Sequence, residues 1–172
     1  FERLVSDPIT SHERLRGLST LSKSDSGRTV VIASASSLMQ KTVSQTGFRS
    51  ASITIQTGQD IHLEQLIIFL DRLGYAFQST VDTHGTASRR GGILDVFPTD
   101  SEFPLRIEFW GNSIESIRFF DHLTQRSSRE TNSVYISPAK EIVPKFVDND
   151  LITELVKNID SSNCSLETSN KI

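Results

Sequence analysis

RRGGILDVFPTDSEFPLRIEFWGNSIESIRFFDHLTQRS, which runs from Arg89 to Ser127, is the stretch that decides the fold of this chain. The strands it predicts run from Gly92 to Phe97, from Leu105 to Trp110 and from Ile114 to Phe120. Each is rich in β-branched or aromatic residues and is bounded by turn residues. Gly111 and Asn112 predict a tight turn between the last two strands, because both residue types accept a positive φ. The stretch therefore predicts an antiparallel sheet built from hairpins.

The residues before this stretch predict a helix that covers the sheet. Its apolar face consists of Leu63, Leu66, Ile67, Leu70 and Leu73, which follow the i, i+3, i+4, i+7 spacing. Asp60 is the predicted N-cap, and Gly74 is the predicted left-handed stop. Further strands are predicted at 52–57, 75–81 and 134–137, with a loop at 82–88.

The N-terminal part has the α, β, α order of a doubly wound α/β domain. Asp7 and Pro8 predict the start of a helix that runs to Ser22, and the β-branched run 29–33 predicts a buried parallel strand. A short helix at 34–41 follows, then a domain boundary within 44–50. A last helix is predicted at 149–158, before a polar tail.

Composition and charge limit the function classes. A net charge of −3 and a pI near 5.8 give the chain as a whole no attraction for phosphate. One cysteine and four scattered histidines predict neither a disulfide nor a zinc site, and we expect a cytoplasmic protein. No apolar run approaches the roughly 20 residues that a membrane span needs. Phe1 opens no signal peptide, so we expect the chain to begin within a longer protein.

The sequence contains no catalytic motif that we can identify. Without a Gly-Lys dipeptide there is no Walker A loop, and we expect no catalytic residue, metal site or cofactor in this chain. Asp95 and Glu108 leave an acid/base pair open, although isolated carboxylates on a sheet are usually surface charges. We interpret His12, His62 and His84 as solvated, and His122 as a turn residue.

The strand from Leu105 to Trp110 has two different faces. Alternation places Leu105, Ile107 and Phe109 on the core face, and Arg106, Glu108 and Trp110 on the other. An arginine beside an exposed tryptophan is typical of an interface hot spot. The alternative is a half-buried Trp110 and an ordinary cross-strand pair between Arg106 and Glu108.

The run Arg89-Arg90-Gly91-Gly92 precedes the first of these strands. A phosphate-binding loop leads from a strand into a helix, whereas this loop leads into a strand. We therefore interpret Arg90 as a ligand for a partner's carboxylate. A weak basic patch, which keeps nucleic-acid binding open, would consist of Arg106, Arg118, Arg126 and Arg129.

Several runs of residues closely resemble the bacterial transcription-repair coupling factors, the Mfd family. They are Leu-Gly-Tyr at 73–75, Arg-Gly-Gly-Ile-Leu-Asp-Val-Phe-Pro at 90–98, Arg-Ile-Glu-Phe-Trp-Gly-Asn at 106–112, Ile-Glu-Ser-Ile-Arg at 114–118 and Thr-Gln-Arg-Ser at 124–127. The match is dense over 73–127 and thinner at 1–3 and 30–41. UvrB carries the same module and is the sibling alternative, but it typically has Cys-Ile-Tyr-Gly where this chain has Ser37-Leu38-Met39-Gln40.

The resemblance implies an α/β fold class with an antiparallel-sheet-plus-helix insertion domain within part of a RecA-like α/β domain. Residues 50–137 would form the insertion, called the UvrA-interaction domain. Residues 1–45 would be part of the RecA-like domain, and residues 141–172 would return to that domain and end in the polar tail.

The resemblance also implies a non-catalytic fragment that recruits the nucleotide-excision-repair protein UvrA to RNA polymerase stalled at damaged DNA. The family's UvrA-contacting positions fall on Arg90, Arg106 and Trp110, with Phe more usual at the last, and Glu108 would orient them. We expect those three to be removable without unfolding. ATP, magnesium, RNA polymerase and double-stranded DNA would bind other domains of the parent protein, whose C-terminal domain would mask this surface. No membrane contact is expected.

Overall fold

The computed structural model describes residues 8–23 and 30–141. The helices within these ranges are α1 (Pro8–Ser22), α2 (Ala35–Met39), α3 (Gln45–Ser50) and α4 (Leu63–Arg72). The strands there are β1 (Ile53–Gln56), β2 (Ala76–Phe77), β3 (Thr86–Arg90), β4 (Ile93–Phe97), β5 (Leu105–Trp110), β6 (Ser113–Phe120), β7 (Ser127–Glu130) and β8 (Ser133–Ile136). These elements confirm the α/β class, and the helix predicted at 149–158 lies outside the described residues.

The larger sheet has six strands in the order β2-β3-β4-β5-β6-β7. Neighbouring strands from β3 to β7 are antiparallel, whereas β2 is parallel to β3. Two-residue turns join β3 to β4 and β5 to β6, and each contains a glycine in the left-handed region, Gly91 at φ 60° and Gly111 at φ 61°. The predicted hairpin at Gly111-Asn112 is therefore confirmed.

The two edges of this sheet are short or polar. At one edge, β2 contributes only two residues, both exposed. At the other edge, the sequence of β7 is Ser-Ser-Arg-Glu, and all four of its residues are exposed.

Helix α4 covers one face of the six-stranded sheet. Leu66 and Leu70 of the helix are fully buried in one cluster with Leu94 and Ile107 of the sheet. Full burial of one such side chain stabilises the fold by roughly 1.5–3 kcal/mol. The chain turns at Gly74, with φ 87°, as predicted. The predicted N-cap is wrong, because His62 occupies that position and Asp60 forms a β-bridge with Ser113.

A separate two-stranded sheet pairs β1 with β8 in the antiparallel direction. Ile55 of β1 and Ile136 of β8 are fully buried in the same core cluster as the α4 leucines. The strands predicted at 52–57 and 134–137 are therefore confirmed. They pair with each other and do not extend the larger sheet.

The strand predicted at 29–33 is wrong for the residues of that run that the structure describes, 30–33. Val30, Val31 and Ile32 are in irregular backbone and are exposed, Ile32 by 94%. A parallel strand needs neighbours that accept and donate its backbone hydrogen bonds. None of the strands described in residues 30–141 lies beside this run. The short helix predicted after it is present as α2.

Several polar segments form structure that the side-chain pattern does not predict. The proposed boundary at 44–50 contains α3, and the side chain of Ser44 caps that helix by accepting a hydrogen bond from the Gly47 N–H at 3.1 Å. Strand β3 begins inside the predicted loop 82–88, and β7 forms where no element is predicted. The strand expected at 75–81 is reduced to β2.

Helix α1 has the predicted bounds and docks on the loops between the strands. Leu15 is buried, and the Ser19 hydroxyl donates to Oδ2 of Asp100 at 2.7 Å. Lys23 pairs with the same carboxylate, and Nε of Arg14 contacts Oε2 of Glu141 at 2.6 Å. These polar contacts fix the helix against residues that are far away in sequence.

Histidine rings add to this docking. The rings of His12 on α1 and His84 lie with their centroids 4.0 Å apart, and the ring of Phe97 lies 3.9 Å from that of His84. The ring of His122 approaches Phe97 at 5.9 Å. The interpretation of His12 as a solvated residue is therefore wrong, because helix docking brings it against a second ring.

We expect the chain to lose stability in mild acid, because His84 contacts the docked helix α1. The ring of His84 keeps contact with solvent, as predicted, but its partial burial, followed by the charges of His12, Arg16 and His122, lowers the pKa of His84, although its hydrogen bond to the Ser101 carbonyl opposes this. A histidine with a lowered folded pKa contributes stability that is present above its unfolded pKa of about 6.5 and is lost as the pH falls through the folded pKa. We expect the Tm to fall between pH 7.5 and pH 5.5, and His84→Gln to reduce that fall in thermal unfolding experiments.

His62→Gln is the matched control, because His62 is exposed and makes no side-chain capping bond. This variant should keep the pH dependence of the unchanged chain. Equal pH dependence in His84→Gln and the unchanged chain would contradict the role given to the stacked rings.

Candidate partner-binding site

The face of the sheet opposite α4 carries the predicted site residues. Leu105 and Ile107 of β5 lie in the core cluster beneath α4, so the alternate residues Arg106 and Glu108 point to the other face. A bulge follows Glu108, and the strand ends at Trp110. Arg90 ends β3, two strands away in the sheet order.

The carboxylate of Asp95 is the centre of this face. It is 1% exposed, and it accepts hydrogen bonds from Nε of Arg106 at 2.8 Å on Oδ1 and from Nη2 of Arg106 at 2.9 Å on Oδ2. Arg90 adds a third bond, from Nη2 to Oδ2 at 2.8 Å. A buried charge is tolerated only when it is paired and hydrogen-bonded, and here two arginines meet that requirement.

Arg106 is held firmly in this position. Its side chain is 16% exposed, its guanidinium lies 4.7 Å from the centre of the buried Phe120 ring, and the hydrogen bond with Asp95 raises the pKa of Arg106. Phe120 itself packs with Val81 and Phe97 in a second small core. Asp95, and not Glu108, therefore orients Arg106.

Glu108 has different partners. It accepts a hydrogen bond from the Ser116 hydroxyl at 2.9 Å and lies 3.5 Å from Nη1 of Arg118. This pairing follows from the register, in which Glu108 is opposite Ser116 and Arg106 is opposite Arg118 on the adjacent strand. The ordinary cross-strand pair between Arg106 and Glu108 is not formed.

Trp110 and Arg90 are the accessible members of the site. Trp110 is 80% exposed, so the alternative in which a loop half-buries it is wrong. The Arg90 side chain is 52% exposed although one of its nitrogen atoms is bonded to Asp95. The site therefore offers an aromatic surface and a cationic group on one face of the sheet.

Three of the four arginines of the suggested basic patch already have partners within the chain. Arg106 and Arg118 are paired with Asp95 and Glu108, while Arg129 lies 4.7 Å from the ring of Phe119, which packs against the core beneath α4. This distribution gives little support to the nucleic-acid alternative, because phosphate binding draws on unpaired cations.

Metal sites and membrane spans are the other features that the described residues bear on. In residues 8–23 and 30–141 no group of three or more potential ligands is placed to hold a metal ion. No helix in the same ranges is long and apolar enough to cross a membrane.

The sequence offered Asp95 only as half of an acid/base pair with Glu108, whereas the structure pairs the two carboxylates with different arginines. A single aspartate in the strand Ile-Leu-Asp-Val-Phe is a signal of a buried charge that needs a partner. The identity of that partner depends on the register between β4 and β5, which places Asp95 opposite Arg106. That register is a tertiary feature that side-chain alternation alone does not give.

Comparison with known proteins places this geometry in a family context. A family model described as the UvrB interaction domain matches residues 53–142. A transcription-repair-coupling factor of Bacillus subtilis (strain 168) is 33% identical over 142 residues, which cover 83% of this chain and 12% of the relative. Those of Escherichia coli (strain K12) and Staphylococcus aureus (strain bovine RF122 / ET3-1) are 32% and 35% identical over 82% and 79% of the chain. The chain spans only 11–12% of the length of these relatives.

The different burial of the site residues predicts different effects on stability. Replacing Arg106 by Met leaves the buried Asp95 with Arg90 alone, and removing one member of a buried ion pair costs roughly 3–5 kcal/mol, with Arg90 keeping the loss near the lower end. Trp110→Ala should change the free energy of unfolding by less than about 0.5 kcal/mol, because the side chain is exposed. Urea unfolding measures both values.

This prediction revises the expectation that Arg106 can be removed without disturbing the fold. Arg90 and Trp110 keep that expectation, because both are accessible. Equal stability of Arg106→Met and Trp110→Ala would show that Asp95 does not depend on Arg106.

Proposed function

This chain belongs to the UvrB interaction domain family, which it shares with transcription-repair-coupling factors, and on that premise we propose that it is a docking module for the excision-repair protein UvrA. The observation that carries the proposal is the cluster of Arg90, Asp95 and Arg106 on the same face of the sheet as the exposed Trp110. In the cell, this docking would bring UvrA to RNA polymerase stalled at damaged DNA.

The physical chemistry of the surface supports a protein partner. Burying a tryptophan against another protein removes roughly 150–250 Å² of aromatic surface from water, and tryptophan and arginine are enriched among residues that dominate binding energy. Arg90 uses Nη2 to bond Asp95, and its other guanidinium nitrogen atoms make no hydrogen bond to another side chain among the described residues. We therefore expect a carboxylate on the partner next to an apolar recess for Trp110.

The relation to the longer protein is part of the same proposal. The chain would act without catalysis and without a cofactor of its own, while ATP, magnesium, RNA polymerase and double-stranded DNA would be bound elsewhere in the parent. The parent's C-terminal domain would cover this surface until UvrA displaces it. The equivalent module of UvrB is the sibling alternative, and the relatives reported above favour the coupling factor.

Titration of the chain with purified UvrA tests the proposal. Trp110→Ala and Arg90→Ala should each weaken binding by about 2–4 kcal/mol, or roughly 30- to 1000-fold in Kd, because each removes a central contact. Isothermal titration calorimetry or biolayer interferometry would measure the loss.

Arg126→Ala and Leu123→Ala are matched controls. Both residues are exposed, Leu123 by 81%, and both lie in the loop after β6, at the opposite end of that strand from Trp110. Neither should change the affinity. Unchanged affinity in Trp110→Ala and Arg90→Ala together would refute the proposal, and tight, strongly salt-dependent binding of damaged DNA would favour the nucleic-acid alternative.

A further inference from the structure

We infer that Asp95 is a positioning residue, which holds the two guanidinium groups of the binding surface so that the outer one, on Arg90, selects a carboxylate of the partner. The inference rests on the proposed docking function and assigns a role to a residue that makes no partner contact itself. Three hydrogen bonds, from Arg90 and Arg106 to one buried carboxylate, carry it.

The place of Asp95 in the sheet is unusual for a charged residue. Leu94 and Val96 on either side are fully buried beneath α4, and Phe97 is buried in the second core. A hydrophobic residue at such a position is generally as stabilising as a buried ion pair. Stability alone therefore does not explain a carboxylate here, whereas the orientation of two arginines does.

The contacts form a chain that runs from the interior to the surface. Phe120 is fully buried and supports the Arg106 guanidinium. Arg106 donates two hydrogen bonds, one to each oxygen of Asp95, and this bidentate contact fixes the plane of the carboxylate. Asp95 in turn holds Arg90, the more exposed arginine, through its Oδ2. An arginine that is already ordered loses less side-chain entropy when it binds.

The balance of charge indicates what the ordered arginine selects. Two positive groups share the single negative charge of Asp95, while Glu108 and Arg118 nearby pair with each other. The cluster of Arg90, Asp95 and Arg106 therefore carries one net positive charge, and its exposed carrier is Arg90. A single carboxylate on a protein partner matches this excess in charge and in planar shape.

A double-mutant cycle, read out as UvrA affinity of the full chain, tests the inference. Asp95→Asn should weaken binding at least tenfold. Arg90→Ala, costly in the unchanged chain, should weaken binding less than threefold in the Asp95→Asn background, because Arg90 is no longer ordered there. Trp110→Ala should cost the same factor in both backgrounds, since Trp110 contacts the partner independently.

The outcomes separate the inference from the function it rests on. Equal cost of Arg90→Ala in both backgrounds would mean that Asp95 serves the fold alone, which overturns the inference and leaves the docking function intact. Absence of UvrA binding by the unchanged chain overturns the docking function, and the inference with it.

A measurement on the unchanged chain covers the case in which Asp95→Asn does not fold. Side-chain ¹⁵N relaxation should give Nε of Arg90 an order parameter near that of rigid backbone, about 0.85, and give Nε of the exposed Arg126 a value below about 0.6. Equal mobility of Arg90 and Arg126 would overturn the inference without any substitution at Asp95.

Discussion

The buried carboxylate of Asp95, which is bonded to two arginines, is the constraint on which the arrangement of this sheet depends. Asp95 is acceptable in a buried strand because Arg106 stands opposite it on β5 and Arg90 reaches it from β3. Three strands must therefore keep one register, since a slip of one residue would send each charged side chain to the α4 face. The electrostatic requirement thus reinforces the register that the leucine core also favours.

The two faces of the sheet are built differently. On one face, α4 and the β1–β8 pair bury a continuous apolar cluster, which includes Leu66, Ile55 and Ile136. On the other face, Val81, Phe97 and Phe120 form only a small core, next to the ion pairs of Asp95 and Glu108 and the exposed Trp110. The surface beside Trp110 stays open because no element among the described residues covers it, and the ion pairs there keep the face ordered without an apolar cover.

The sequence predicted those parts of the fold that depend on local pattern. The helical leucines of α4, the alternation in β5 and the glycine turn at Gly111 are each determined by residues close together in the chain, and each is confirmed. Strand β7 was not predictable in this way, because Ser-Ser-Arg-Glu has no apolar alternation and pairs through its backbone. The run 30–33 shows the opposite case. Its β-branched residues favour a strand, but no described strand pairs with it. Trp110 and Arg90 were identified from residue type, whereas the role of Asp95 depends on strands joined across the loop 98–104.

The edges of the six-stranded sheet have a consequence for how the domain meets other molecules. With one terminal strand of two residues and the other polar throughout, neither edge offers a long row of backbone groups to an incoming strand. Growth of the sheet from chain to chain, which leads to aggregation, is thereby discouraged in a domain that leaves an aromatic side chain uncovered. Under the proposed docking function, association would use the side chains of the open face instead of the backbone at the edges.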